Sequence, residues 1–253
     1  MPEFPTVKVA GLPVWRVSTE ELCDLIDQWS AKGEGHWIAT LNLDYYARGV
    51  REPQFLELLR QADVFTADGM PILRACQKID SRFEGLMRTT GADLTPMVLK
   101  KVDPKRIAVV GGADPKKAIE TVGKNPADFF IFDGKVELTE PWAQSLADQM
   151  KDRTVIFVAL GCPKQEQMIA LLKPHMPQAV FVAVGGSFDM LAGVTSRAPL
   201  WMQKAGMEWF YRLAIEPKRL WRRYLVEYPP GARALKRETL DQLKGLNGAS
   251  HGG

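Results

Sequence analysis

A doubly wound α/β fold is predicted, with a mainly parallel sheet flanked by helices, an N-terminal hairpin and a C-terminal helical, basic appendage. The first observation is a pair of apolar runs, Val155-Ile156-Phe157-Val158-Ala159-Leu160 and Val180-Phe181-Val182-Ala183-Val184, rich in β-branched and aromatic residues and free of polar alternation. Such runs read as strands buried on both faces, as in parallel sheets covered by helices. The second is the alternation of strand-like and helix-like stretches from Arg106 onward. The third is how the two runs stop. One ends at Gly161, before Cys162-Pro163-Lys164-Gln165-Glu166, and the other at Gly185-Gly186, before Ser187-Phe188-Asp189. The carboxyl edge of an open parallel sheet is where ligands bind, and glycines there let backbone N–H groups approach a phosphate or a sugar. Taken singly, each of these glycines also reads as a tight turn.

In chain order, Thr6 to Val9 and Val14 to Val17 read as a hairpin around Ala10-Gly11-Leu12-Pro13. Ser18 and Thr19 offer an N-cap to a helix with Leu22, Leu25, Ile26 and Trp29 on one face, ending at Gly33. A strand from Trp37 to Leu41 presents Asn42 and Asp44 at its carboxyl end. A helix from about Pro53 to Gln61 leads to a short strand, Val64 to Ala67, closing on Asp68-Gly69-Met70-Pro71 and a helix carrying Ile72, Leu73 and Cys76. Phe83 to Met87 links it to Arg88-Thr89-Thr90-Gly91-Ala92-Asp93-Leu94. Then come a strand Ile107 to Val110, Gly111-Gly112, a helix Pro115 to Val122, a strand Phe129 to Phe132 and a helix Glu140 to Met150. Residues 1–198 are expected to form the α/β core, 199–246 a helical appendage, and 247–253 a disordered tail.

The 253 residues give ample core for one large α/β domain or two small ones. Hydrophobic residues at 46% and charged residues at 25% fit a soluble globular protein. No apolar stretch is long enough to span a membrane, and the N-terminus does not read as a signal peptide. Cys23, Cys76 and Cys162 are odd in number and widely spaced, which fits a reducing cytoplasm. Cys162 as a nucleophile is disfavoured, because the three histidines form no pairing motif with it. Ten Lys and Arg against five Asp and Glu from Pro199 onward make that part +5, leaving −2 on residues 1–198.

Asp68 is the first candidate for chemistry. At a strand tip before Gly69, it reads either as a general base in a cleft or as the N-cap of the Pro71 helix. Arg88, with Gly91 and Asp93 close by, suits an anion held bidentately, or else it pairs with Asp93 on the surface. Gln165 can read a uracil or a sugar hydroxyl, while Glu166 favours the helix dipole. Gly111-Gly112 lacks the spacing of a dinucleotide fingerprint, and Asp133 is a weak ribose ligand, so this unit reads as scaffold. No Asp-x-Asp occurs in the sequence, so no metal-binding carboxylate pair stands beside a nucleotide diphosphate and no metal or cofactor is expected. Cationic side chains would have to take that role.

Those cations come late in the chain. Arg219, Arg222 and Arg223 fall at i, i+3 and i+4, with Arg212 before them and Trp209, Phe210, Tyr211, Trp221, Tyr224 and Tyr228 interleaved. Arg with Trp and Tyr at helical spacing suits an anionic membrane surface. A solvated basic helix is the plainer reading, and the acidic body offers no track for nucleic acid.

Six motifs in order resemble the WecG/TagA/CpsF family of glycosyltransferases. They are Thr40-Leu41-Asn42, Ala67-Asp68-Gly69-Met70-Pro71, Arg88 to Leu94, Gly161 to Glu166, Gly185-Gly186-Ser187-Phe188-Asp189 and Arg197-Ala198-Pro199-Leu200-Trp201. The tail, from Glu208-Trp209-Phe210-Tyr211-Arg212-Leu213 through Arg222-Arg223-Tyr224, is similar to the family's terminal signature. The resemblance implies a metal-independent, inverting transfer from a UDP-sugar donor to a sugar on a polyprenyl diphosphate, at the inner face of the bacterial plasma membrane. It also implies that Asp68 is the general base, with Thr40 and Asn42 lining its cleft. Arg88 and the tail arginines would stabilise the departing UDP, and Gly69, Gln165, Glu166, Gly185, Gly186 and Asp189 would contact donor or acceptor. A homo-oligomer is compatible with all of this. Two readings from other classes stand beside it, a sugar-nucleotide oxidoreductase and a non-catalytic membrane-associated scaffold. The sequence leaves the donor open among glucose, N-acetylmannosamine and its uronic acid.

Overall fold

The computed structural model describes residues 4–250, apart from the side chains of Lys204, Arg219 and residues 247–250. Strands β1 (Thr6–Val9) and β2 (Leu12–Trp15) form the hairpin. Its loop is shorter than the four residues expected: Ala10 and Gly11 both take positive φ, 54° and 74°, so Val9 faces Leu12 directly. A two-residue turn of this hand matches the twist of the strands and moves β2 two residues toward the N-terminus. Helix α1 (Thr19–Lys32) has Ser18 as N-cap in a reciprocal capping box with Glu21, and Gly33 at φ 68° ends it. Then follow β3 (His36–Leu41), α2 (Leu43–Arg51), α3 (Pro53–Leu59), β4 (Val64–Ala67), α4 (Met70–Ile79) and α5 (Gly91–Lys101). The doubly wound part continues through β5 (Ile107–Gly111), α6 (Pro115–Thr121), β6 (Phe130–Phe132), α7 (Glu140–Gln149), β7 (Val155–Ala159), α8 (Lys164–Leu172), β8 (Val180–Ala183) and α9 (Ser187–Leu191). Helices α2 and α5 are additions to the expected elements. Each starts at a side-chain cap, Asn42 in a stretch read as a polar strand tip and Thr90 in the stretch read as an anion-holding group.

The eight strands lie in the order β1-β2-β4-β3-β8-β7-β5-β6, parallel except for the hairpin pair. Alternate residues of β3, β4, β5, β7 and β8 enter two separate cores. Trp37, Ala39, Phe65, Ile156 and Phe181 pack with α2, α3, α4, α7 and α8, while Ile38, Val64, Val155, Phe157 and Val182 pack with α1, α5, α6 and α9. Burial on both faces is why these strands lack polar alternation. Adjacent strands β3 and β8 feed helices on opposite faces, α2 on one and α9 on the other. Their tips therefore diverge and leave a crevice at the carboxyl edge, the switch point of the sheet.

The C-terminal part is helical, in α10 (Leu200–Ala205), α11 (Glu208–Ile215), α12 (Pro217–Arg222), a π-helical turn (Arg223–Glu227) and α13 (Tyr228–Ser250). Helix α13 packs along α2 and α4. It crosses α2 so closely at Gly231 that a Cβ there would sit 2.5 Å from that of Ala47. The helix runs through part of the stretch expected as a disordered tail, and residues 251–253 of that stretch lie outside the described residues.

Candidate active site

The crevice opens into a cavity of about 430 Å³. Its floor is made of the β3, β4, β7 and β8 tips and its roof of Glu208, Trp209, Arg212, Arg223, Tyr224 and Tyr228 from the C-terminal helices. Of the sequence candidates, Thr40, Asn42, Asp68, Gly69, Arg88, Gln165, Gly185, Gly186, Asp189, Arg212 and Arg223 all line it. The first turns of α2, α4, α5 and α8 border the same space. Helix N-termini carry unpaired N–H groups and a partial positive charge, so this floor favours an anion.

Asp68 does not cap the helix that follows. The N-cap of α4 is Gly69, at φ 91°, and no side chain bonds that helix start. The Asp68 backbone N–H donates to the Leu41 carbonyl at 2.9 Å, which fixes the β4 tip to the β3 tip. Arg88 reaches the same place because Thr89 runs alongside β4: its N–H donates to Ala67 O at 3.1 Å and its carbonyl accepts from Thr66 Oγ1 at 3.0 Å. Asp68 is part-buried at the strand tip and lines the cavity. Burial pushes its pKa up to about 7; Arg88 and Arg212 pull it down, and Glu208 and Asp93 push it further up.

Arg88 is not paired to Asp93. Asp93 takes Arg197 in a two-pronged contact at 2.7 and 3.0 Å, and Arg88 instead meets Glu208 of α11 at 3.1 Å. Gln165 lines the cavity, but protein uses up its amide. Its Nε2 donates to Tyr45 Oη and to Glu166 Oε1, both at 2.7 Å, and its Oε1 accepts the Gly185 N–H at 2.9 Å. Glu166 lies behind the wall, fully buried, and accepts the Tyr45 hydroxyl. Burial raises its pKa against those hydrogen bonds. This pair thus holds the glycine loop after β8 in place, whereas a direct ligand contact was expected. Asp189 does similar work, accepting the Ala113 N–H at 2.8 Å and so tying in the Gly111-Gly112 loop. The Cys162 thiol is pushed up by burial and by Glu166, away from the thiolate a nucleophile needs.

The tail arginines separate. Arg223 turns inward onto Asp44 at 2.8 Å and onto the Tyr228 hydroxyl at 3.0 Å, while Arg222 points outward toward Glu227 at 3.5 Å with its side chain 75% exposed. Both residues keep right-handed helical backbone, and neighbours on a helix point about 100° apart, so one faces the cavity while the other faces out. Arg212 lines the roof with no ion-pair partner among the described residues. The side chain of Arg219 lies outside the described ones. Glu208, Asp44, Tyr45 and Tyr228 belong to the cavity and had no site role from sequence. Glu208 had a signal in its place at the head of the terminal motif, Asp44 in its place beside Asn42 at a strand tip, and Tyr228 among the tail aromatics.

Fold and cleft together define an open α/β protein with an anion-favouring crevice at its switch point, a carboxylate of raised pKa and arginines above it. The family model described as "Glycosyl transferase WecG/TagA/CpsF family" matches residues 7–245, and the chain belongs to that family. It is a glycosyltransferase, which removes the oxidoreductase and scaffold readings. One relative, from Bacillus spizizenii (strain ATCC 23059 / NRRL B-14472 / W23), is 33% identical over 201 residues, covering 77% of this chain and 76% of that protein. Another, from Bacillus subtilis (strain 168), is 28% identical over 198 residues, covering 76% and 75%. Both carry the name N-acetylglucosaminyldiphosphoundecaprenol N-acetyl-beta-D-mannosaminyltransferase.

Proposed function

We propose that the chain moves a hexosyl unit from a UDP-sugar to a sugar carried on a polyprenyl diphosphate, with inversion and without a metal. The observation that carries this is Asp68, a carboxyl held at about pKa 7 in the cleft between Arg88 and Arg212. A base poised near neutral pH suits deprotonation of an acceptor hydroxyl. The acceptor oxygen bonds to the anomeric carbon as the carbon–oxygen bond to UDP breaks on the opposite face, which inverts the centre. The proton goes to Asp68 and the electron pair to the β-phosphate. Arg88, Arg212 and Arg223, with the N-termini of α4 and α5, supply positive charge for that phosphate, the part a divalent ion plays elsewhere. Thr40 and Asn42 border the acceptor side.

The roof also carries an outward apolar and basic surface. Trp201, Phe210, Trp221, Leu225 and Val226 are exposed on these short helices, as is Arg222. No helix among the described residues is long and apolar enough to cross a membrane. Rings and Arg at headgroup level fit peripheral binding to an anionic membrane at its cytoplasmic face, where a lipid-linked acceptor would be met. The relatives' names put N-acetylmannosamine first among donors to try. The test is UDP release from a panel of UDP-sugars with a short-chain lipid-diphosphate acceptor, with and without EDTA. Turnover of one donor that survives EDTA supports the reading, and loss of turnover restored by magnesium or manganese overturns the arginine role.

A further inference from the structure

Glu208 has no place in the reaction just proposed, yet its carboxylate stands where a substrate anion would. It is mostly buried, lines the cavity and contacts Arg88 Nη1 at 3.1 Å. Glu208 and Arg212 are spaced i and i+4 on α11, the favoured order for an ion pair along one helix. The carboxylate nevertheless turns away from Arg212 to the body of the protein. A second cation lies within reach. Arg197 Nε is 4.0 Å from the other carboxylate oxygen, and that N–H is buried without a hydrogen-bond partner because Asp93 engages only the two terminal nitrogens.

We propose that Glu208 is a built-in anion occupying the diphosphate subsite of the empty enzyme, which the donor's diphosphate displaces from Arg88. The proposal rests on Arg88 being a diphosphate ligand, as read above. On displacement the carboxylate swings to Arg197, where the orphaned Nε–H gives it a charge-assisted hydrogen bond. Arg88 is then free for the phosphates, with Arg212 one turn along α11 on the same flank. The arrangement keeps Arg88 and the roof together without substrate, and it selects for a ligand with enough negative charge to win the exchange.

The test is calorimetric titration of the full-length protein with UDP at low salt, with uridine as the phosphate-free control. Glu208→Gln should bind UDP roughly tenfold more tightly, the weight of one competing ion pair, and uridine as the wild type does. Glu208→Asp, one methylene shorter, should fall between. The gain should vanish in the Arg88→Ala/Glu208→Gln double variant, where there is no cation left to unmask. Unchanged or weaker UDP binding by a Glu208→Gln or Glu208→Asp protein that melts like the wild type overturns the proposal and leaves Glu208 as a strut that orients Arg88. If Arg88→Ala alone binds UDP as well as the wild type, the assignment of Arg88 fails first and the exchange falls with it.

Discussion

The two halves of the C-terminal part are held in different ways. Helix α13 is fastened as a core element is. Leu235 and Thr239 are buried, Gly231 lets it touch Ala47, and Glu238 accepts both the Ala10 N–H at 2.8 Å and the Tyr46 hydroxyl at 2.7 Å. The segment from Leu200 to Glu227 packs its short helices largely on one another. Its links to the body include two ion pairs whose body partners lie in the cavity, Arg88 with Glu208 and Asp44 with Arg223. It also exposes Leu200, Trp201, Phe210, Trp221, Leu225 and Val226. A close-packed crossing fixes position, whereas ion pairs facing a cavity can be exchanged for a charged ligand. The difference separates a clamp from a roof that takes part in the site.

The largest effect should come from the group the roof covers. Asp68→Asn is expected to lower turnover roughly 10²- to 10⁴-fold with UDP binding nearly intact. In the wild type, kcat/KM should rise with pH and level off above about 7, since the base must be unprotonated. Stability should run the other way. A carboxyl raised to about 7 in the fold binds its proton more tightly than in the unfolded chain, so its contribution is full below pH 4 and lost as pH rises through 7. Asp68→Asn should therefore melt about a few degrees higher than wild type at pH 8 and no higher at pH 4. A melting curve unmoved at pH 8 would reject the buried-carboxylate account.

Next in size is the contrast between neighbouring arginines. Arg223→Ala should cost about 10²-fold in turnover of a water-soluble acceptor, as loss of a preorganised charge donor does. Arg222→Ala should change that rate less than about twofold and instead weaken binding to anionic vesicles, by about 1 kcal/mol. Equal rate losses from the two would erase the distinction between the roof's inner and outer surfaces.

The clamp should answer in stability first. Gly231→Leu forces α13 off α2 and should lower the melting temperature by about 4 °C or more, with activity falling as the roof loses its anchor. The smallest effect on activity is expected from Leu235→Ala, with kcat near that of wild type and a cavity cost of about 2–3 kcal/mol read by denaturant unfolding. If Leu235→Ala abolished turnover in folded protein, the part of α13 beyond Tyr228 would belong to the site after all.

The sequence by itself determined the doubly wound sheet, because unalternating apolar runs have few other places to go, and it located Asp68 and the glycine tips at strand ends. Period and strand-end chemistry are local signals, carried by neighbours in the chain. The local caps Asn42 and Thr90 were equally present, but their helices were hidden by the polar and glycine-rich stretches around them. Only the tertiary structure decided which charges meet. That Arg88 takes Glu208 and leaves Asp93 to Arg197, that Gln165 and Glu166 meet at Tyr45, and that Arg223 faces in while Arg222 faces out depend on elements up to 179 residues apart in sequence. An ion pair is set by where two backbones put two side chains, and residue spacing within one segment carries no information about the other.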